Sequence, residues 1–223
     1  MSLKTLSIVT LAMLLTGSVL AQRNFDQYNR LGITAGLTFF DLSTSSFNTS
    51  QGSGVMGGFT TRGSFRNNFD LIYGLTFSSN KVKIAGSSTN GIGGGFERVN
   101  MTYSLQSVQV NFLGSYNIIK HHLSLEFGPL LNISSKLTLD SDQYQDYIVE
   151  GYERLRASEI EDISKVSPQL MGGLTAGLEN FRLSAHYQYG LTNVLNNLND
   201  LGLESTDFKG KTTTLILSAT LYF

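Results

Sequence analysis

Eight stretches of this chain alternate apolar and polar residues with a period of two. That period excludes most folds before composition is considered. Period two puts successive side chains on opposite faces of an extended strand, whereas a helix repeats at three and four. The stretches are Arg30–Asp41, Gly54–Ser64, Asn68–Ile84, Thr102–Tyr116, His122–Leu137, Ser167–Leu178, Phe181–Thr192 and Lys211–Phe223. In the first, Leu31, Ile33, Ala35, Leu37 and Phe39 share one face, against Gly32, Thr34, Gly36 and Thr38. In the last, Leu215, Leu217, Ala219, Leu221 and Phe223 alternate to the end of the sequence.

The connections alternate as well. Phe65–Asn67, Asn117–His121 and Glu179-Asn180 are short, while Leu42–Ser53, Ala85–Met101, Thr138–Val166 and Asn193–Gly210 are long. Long and short in strict succession is the order of an up-and-down barrel with both strand termini on the short-turn side. A two-residue turn at Glu179-Asn180 sets Ala176 opposite Leu183. Pairing Arg62 with Asp70 in the second hairpin sets Phe59 opposite Tyr73. A slip of one residue would turn each apolar face the wrong way.

The apolar faces need either a second sheet or lipid. Charged residues make up 15% of the chain, well below the roughly 25% of soluble proteins. Aromatic residues gather at strand ends: Phe65, Phe69, Tyr116, Phe181 and Phe223 at the turn end, Phe39 and Phe77 towards the loop end. These are the positions of interfacial girdles. A closed barrel leaves no strand edge unpaired in hydrocarbon. The expectation is an all-β, eight-stranded antiparallel up-and-down transmembrane β-barrel, with short turns in the periplasm and four long loops outside. A ten-stranded count follows if Thr138–Val166 holds another hairpin. A soluble lipocalin-like binder is the alternative, weakened by the aromatic ends and the terminal Phe.

Residues 1–21 carry Lys4, the apolar run Leu6–Leu15 and Val19-Leu20-Ala21, the pattern of a cleaved export signal. The expected division is a signal peptide over 1–21 and a barrel domain over 22–223. Gln22 stands where a lipoprotein would need Cys, and the chain has no Cys at all. That excludes disulfides, thiol catalysis and Cys-ligated zinc. A net charge of −1 gives no basic excess for nucleic acid.

The inward face carries few charges: Arg62, Asp70, Glu126, Arg182 and His186. An eight-stranded barrel is just wide enough for side chains to fill, and charges inside it must be paired or hydrated. The expected arrangement is a lumenal plug in which Arg62 and Arg182 bridge Asp70 and Glu126. Ser184 lies two residues from His186 on the same face, but the sequence places no carboxylate to orient the imidazole, so no catalytic role is assigned. Asp140-x-Asp142 resembles the start of a calcium loop and fails at Tyr144, Gln145 and Gly151. The segment Thr138–Val166 reads as a solvated acidic loop with a short helix at Glu153–Ile163. Gly91, Gly93, Gly94 and Gly95 read as a hairpin tip, since no helix and no Lys-Ser/Thr pair follows them. No metal or cofactor is expected.

The opening strand LGITAGL, the hairpin FDLIYGLTF, the segment LEFGPLLNIS, the strand LSAHYQYGLTN and the terminal TLILSATLYF resemble the small outer-membrane β-barrel proteins of Bacteroidota called PorT-like. The resemblance implies an outer-membrane location and supplies no catalytic residues. It links the chain to porin-like proteins and to accessory components of protein secretion. The expected partners are outer-membrane lipid, the barrel-assembly machinery acting on Leu217, Ala219, Leu221 and Phe223, and a protein at the external loops, with no nucleic acid. The expected function is non-enzymatic display of the loops on a largely plugged barrel. A narrow channel and a lipid-modifying enzyme are the alternatives.

Overall fold

The computed structural model describes residues 28–88 and 98–223. The expected signal peptide and the glycine-rich tip at 91–95 lie outside the described residues. Ten strands follow in order: β1 (Asn29–Thr44), β2 (Thr49–Arg66), β3 (Phe69–Ser87), β4 (Arg98–Ile119), β5 (Leu123–Ser134), β6 (Thr138–Leu139), β7 (Ile148–Val149), β8 (Val166–Gly177), β9 (Phe181–Gly190) and β10 (Gly210–Tyr222). Eight of them close a ring in the order β1-β2-β3-β4-β5-β8-β9-β10, with β10 returning to β1 and every pair antiparallel. The remaining two, β6 and β7, are two-residue additions to β4 and β3. The segment 138–166 therefore adds no crossing hairpin.

Register follows the hydropathy at the β8–β9 turn, where Ala176 faces Leu183. At the β2–β3 turn it differs from expectation by two residues: Arg62 faces Ile72, Ser64 faces Asp70 and Phe59 faces Leu75. The cause is a bulge between Ser64 and Arg66, followed by a tight turn in which Asn67 takes a positive φ of 50°. A bulge inserts one unpaired residue, and asparagine tolerates the left-handed region. An even shift leaves every side chain on its own face, so Arg62 and Asp70 still point inward.

The walls differ in height. Strand β4 has 22 residues and β9 has 10, a difference of about 40 Å along the strand at roughly 3.3 Å per residue. The first of the expected long loops is largely strand, because β1 and β2 continue to Thr44 and from Thr49.

Along the tall strands the polarity of the two faces inverts. Low on β3, Tyr73, Leu75 and Phe77 face outward and are exposed, while Thr76 and Asn80 are buried inside. Higher on β3, Val82 and Ile84 are fully buried inside, and Lys81 and Lys83 are exposed outside. Strand β4 repeats the change, from outward Val110 and Phe112 with inward Gln109 to inward Leu105, Tyr103 and Met101. On β1, inward Thr34 and Thr38 give way to inward Phe40 and Leu42. Below the switch the apolar face meets lipid; above it the outer face meets water, and the hydrophobic effect drives apolar groups inward as in any soluble core.

Candidate functional site: a charged lumen beneath an apolar crown

The turn-side half of the lumen is organised around Arg62. Its Nη1 donates to Asp70 Oδ2 at 3.1 Å and to Ser124 Oγ at 3.3 Å. Its Nη2 donates to Ser115 Oγ at 3.2 Å and to Glu126 Oε1. The second Glu126 oxygen lies 2.8 Å from His186 Nε2. Asn117 Nδ2 donates to Asp70 Oδ2 at 3.0 Å, and Asn117 Oδ1 accepts from Ser124 Oγ at 2.9 Å. Four strands thus meet on one guanidinium: β2 supplies it, β3 brings Asp70, β4 brings Ser115, and β5 brings Ser124 and Glu126, with Asn117 of β4 bridging Asp70 and Ser124. All of these groups are buried, with Arg62 2% and Glu126 3% exposed. A buried charge of this kind persists only when it is paired and hydrogen-bonded.

Arg182 stands apart from the expected plug. Its Nη1 donates to Ser124 Oγ at 3.3 Å, and among the described residues no carboxylate comes within ion-pair distance of it. Both oxygens of Glu126 are already taken, one by Arg62 and one by His186. The Nε atoms of Arg62 and Arg182 are buried without a partner among the described residues. His186 does meet a carboxylate, contrary to expectation. Ser184 does not join it, since Ser184 Oγ lies 2.8 Å from Thr175 Oγ1. The serine hydroxyl is thus engaged away from the imidazole, and no nucleophile–base pair is assembled there.

Above the ions, Gln109 and Gln188 exchange amide hydrogen bonds of 3.3 and 3.0 Å across the barrel. Ile72, Leu113, Leu130 and Met171 form a small apolar cluster within the same lumen. The free space among these groups is about 60 Å³. A site needs roughly 10–15 Å³ of such space per water, so this cavity holds a few waters.

The loop end is filled differently. Phe40, Leu42, Val82, Ile84, Met101, Tyr103 and Leu105 on the tall walls pack against Leu155, Ile160 and Ile163 of the long third loop and Leu195, Leu198 and Phe208 of the last. Tyr103 donates to Ala157 O at 2.9 Å, and Phe47 packs on Phe208 with ring centroids 5.5 Å apart. Glu204 ties the two loops together: its Oε2 accepts from the backbone N–H groups of Glu153, Arg154 and Leu155 at 3.1, 2.7 and 3.0 Å. The N–H groups of Glu153 and Arg154 hold this carboxyl below the usual carboxylate range.

The expected solvated loop over 138–166 is therefore a folded cap. Asp140, Asp142, Asp146, Glu153 and Glu159 are exposed and Glu150, Glu161 and Asp162 half-buried, but Val149, Leu155, Ala157, Ile160 and Ile163 are buried. In place of a helix over Glu153–Ile163 there is a 3-10 turn at Ala157–Ile160, and another lies at Asp142–Tyr144. The apolar spacing of two or three residues from Val149 to Ile163 was the signal for this, obscured by the acidic residues between. Asp140 is held by Lys81 at 2.9 Å and by Ser104. Among the described residues no group of three or more His, Asp or Glu side chains converges as a metal site would. At the end of the chain, Leu217, Leu221 and Phe223 are exposed on the outer wall beside half-buried Ala219. The Phe223 N–H donates to Leu31 O at 2.9 Å, across the β10–β1 seam.

A family model described as outer membrane protein beta-barrel domain matches residues 20–196. Among solved structures, the chain is similar to Neisserial surface protein A at 11% identity and TM-score 0.49, covering 86% of this chain and 97% of that one. It is similar to OprG from Pseudomonas aeruginosa at 12% identity and TM-score 0.48, covering 88% and 97%. It is also similar to Ail, the attachment invasion locus protein of Yersinia pestis, solved with the heparin analogue sucrose octasulfate, at 16% identity and TM-score 0.46, covering 87% and 99%. Curated protein sequences return no match to the chain. With the family match spanning most of its length, the chain belongs to the outer membrane protein beta-barrel domain family, and is a β-barrel of the bacterial outer membrane.

Proposed function

We propose that the protein is a non-enzymatic, closed barrel whose working surface is its folded external crown. One observation carries this reading. The loops bury their apolar side chains with the tall walls as a second core, so the outer end is a shaped surface and not an open mouth. The ion network beneath adds a second closure, because Arg62 links Asp70 and Glu126 across the lumen. A protein partner would meet loops that need little ordering on binding, which lowers the entropic cost of recognition. The engaged Ser184 hydroxyl supports the absence of acyl-transfer chemistry at His186.

In this reading residues 1–21 are a signal peptide removed on export. Leu217, Ala219, Leu221 and Phe223 present the last strand to the assembly machinery. The PorT-like kinship rests on the strand segments quoted above and contributes no site residue.

Planar-bilayer recording of the purified protein tests the proposal. The expected trace shows no stable unitary conductance. Reproducible single-channel steps would overturn it in favour of a narrow channel.

A further inference from the structure

The outer wall carries a hollow that neither the lumen nor the crown explains. In one row across the sheet, Leu71 of β3 faces Gly114 of β4, Gly114 faces Phe127 of β5, and Phe127 faces Gly172 of β8. The Phe127 ring leans over Gly172, where an added Cβ would meet its Cδ2 at 3.2 Å. It leaves Gly114 bare: a Cβ there would find only the Phe127 carbonyl, at 3.8 Å. The result is a groove of about 560 Å³ over Gly114, walled by Leu71, Phe65, Phe69 and Tyr116 and ending at Arg66. That volume falls within the roughly 300–1,000 Å³ of small-molecule sites.

The two ends of the groove differ in chemistry. Phe69 and Tyr116 pack with ring centroids 5.1 Å apart, forming an aromatic wall at the level where barrels meet lipid headgroups. Arg66, at the short-turn end, is exposed and has no ion-pair partner among the described residues. The carboxylate of Asp70 in the same wall is turned inward and engaged by Arg62. Asn67 and Asn68 line the same end. A free guanidinium beside amide donors matches a phosphodiester, which accepts paired N–H bonds. The apolar trough runs from there into the hydrocarbon zone.

We infer that this groove is a binding site for one phospholipid of the periplasmic leaflet, with an acyl chain over Gly114 and the phosphate at Arg66. It rests on the outer-membrane placement of the barrel and goes beyond general lipid contact by naming a single site.

Native mass spectrometry of the full chain in mild detergent, titrated with phosphatidylglycerol, tests it. Two variants are compared: Arg66→Gln removes the cation, and Gly114→Val puts side-chain bulk into the trough, where its Cβ meets nothing nearer than the Phe127 carbonyl at 3.8 Å. The expected result is one lipid bound by the wild type, with affinity lowered on the order of tenfold in Arg66→Gln, as for loss of a charge-assisted contact. Gly114→Val should weaken binding too, and diacylglycerol, with the same chains and no phosphate, should bind no better to the wild type than to Arg66→Gln. Each preparation is also run on a gel heated and unheated. Loss of the heat-dependent shift in the wild type would remove the barrel placement itself. An intact shift with no stoichiometric lipid, with equal binding by the variants, or with diacylglycerol bound as well as phosphatidylglycerol, would overturn the site and leave the barrel standing.

Discussion

The lower lumen and the external crown are enclosed by the same strands but filled in opposite ways. In the lower lumen all eight ring strands are present and the side chains of the walls fill the space themselves. Their inward face is mainly polar, apart from the cluster of Ile72, Leu113, Leu130 and Met171, while the outward face carries the apolar residues for lipid. In the crown only the tall walls continue, and loops close the open side by supplying Leu155, Ile160, Leu195 and Phe208. Inside and outside exchange character at the level of Phe77 and Asn80, so solvent outside the wall dictates what lies within it. Lipid outside allows a charged interior; water outside demands an apolar one.

The largest effect is expected from breaking the lower region at its centre. Arg62→Ala leaves Asp70 and Glu126 buried without their shared cation, a loss of about 3–5 kcal/mol. Urea unfolding in detergent should show it as a shift of the whole transition. Arg182→Ala removes a guanidinium that, among the described residues, is hydrogen-bonded only to Ser124, so its cost should be clearly smaller. Equal costs would mean that Arg62 does not organise the lumen.

A cavity in the crown should act locally. Ile160→Ala removes a fully buried side chain and should cost about 2–5 kcal/mol within the cap. Limited proteolysis of 138–165 should accelerate while the heat-dependent gel shift of the barrel persists. Loss of that shift would show that the two regions fold as one unit.

Smallest is the latch between the two loops. The Glu204 carboxyl is held low by the N–H groups of Glu153 and Arg154. A depressed folded value means that its contribution is complete above the ordinary glutamate pKa and is lost as pH falls through the lower folded value. Amide exchange at Glu153, Arg154 and Leu155 should therefore show an acid-dependent opening in the wild type. Glu204→Gln should lack that step, and an unchanged pH response in the variant would remove Glu204 as its source.

Much of the barrel was legible in the sequence because period two survives at every level of a wall. Strand limits such as Phe181 and the inward set Arg62, Asp70, Glu126, Arg182 and His186 follow from it directly. The partners within that set did not. Which arginine reaches Glu126 depends on barrel curvature and on the bulge beside Phe65, and neither leaves a mark in the alternation. The inversion was hidden for a related reason. Phe40, Leu42, Val82, Ile84, Met101 and Tyr103 keep the period and change only its phase, so each strand reads as one continuous pattern unless both faces are followed to the end. The crown's loop residues from Val149 to Ile163 are apolar at steps of two or three, but acidic residues lie between them and their burial depends on walls far away in sequence.

The inversion is the central claim, and the absence of native cysteine makes it directly measurable. Single variants Phe77→Cys and Lys83→Cys, both on the outer face of β3, would be exposed in intact cells to a membrane-impermeant maleimide. The account predicts rapid labelling at position 83 and protection at position 77, where lipid covers the wall. Equal labelling at both positions, or protection at 83, would contradict it.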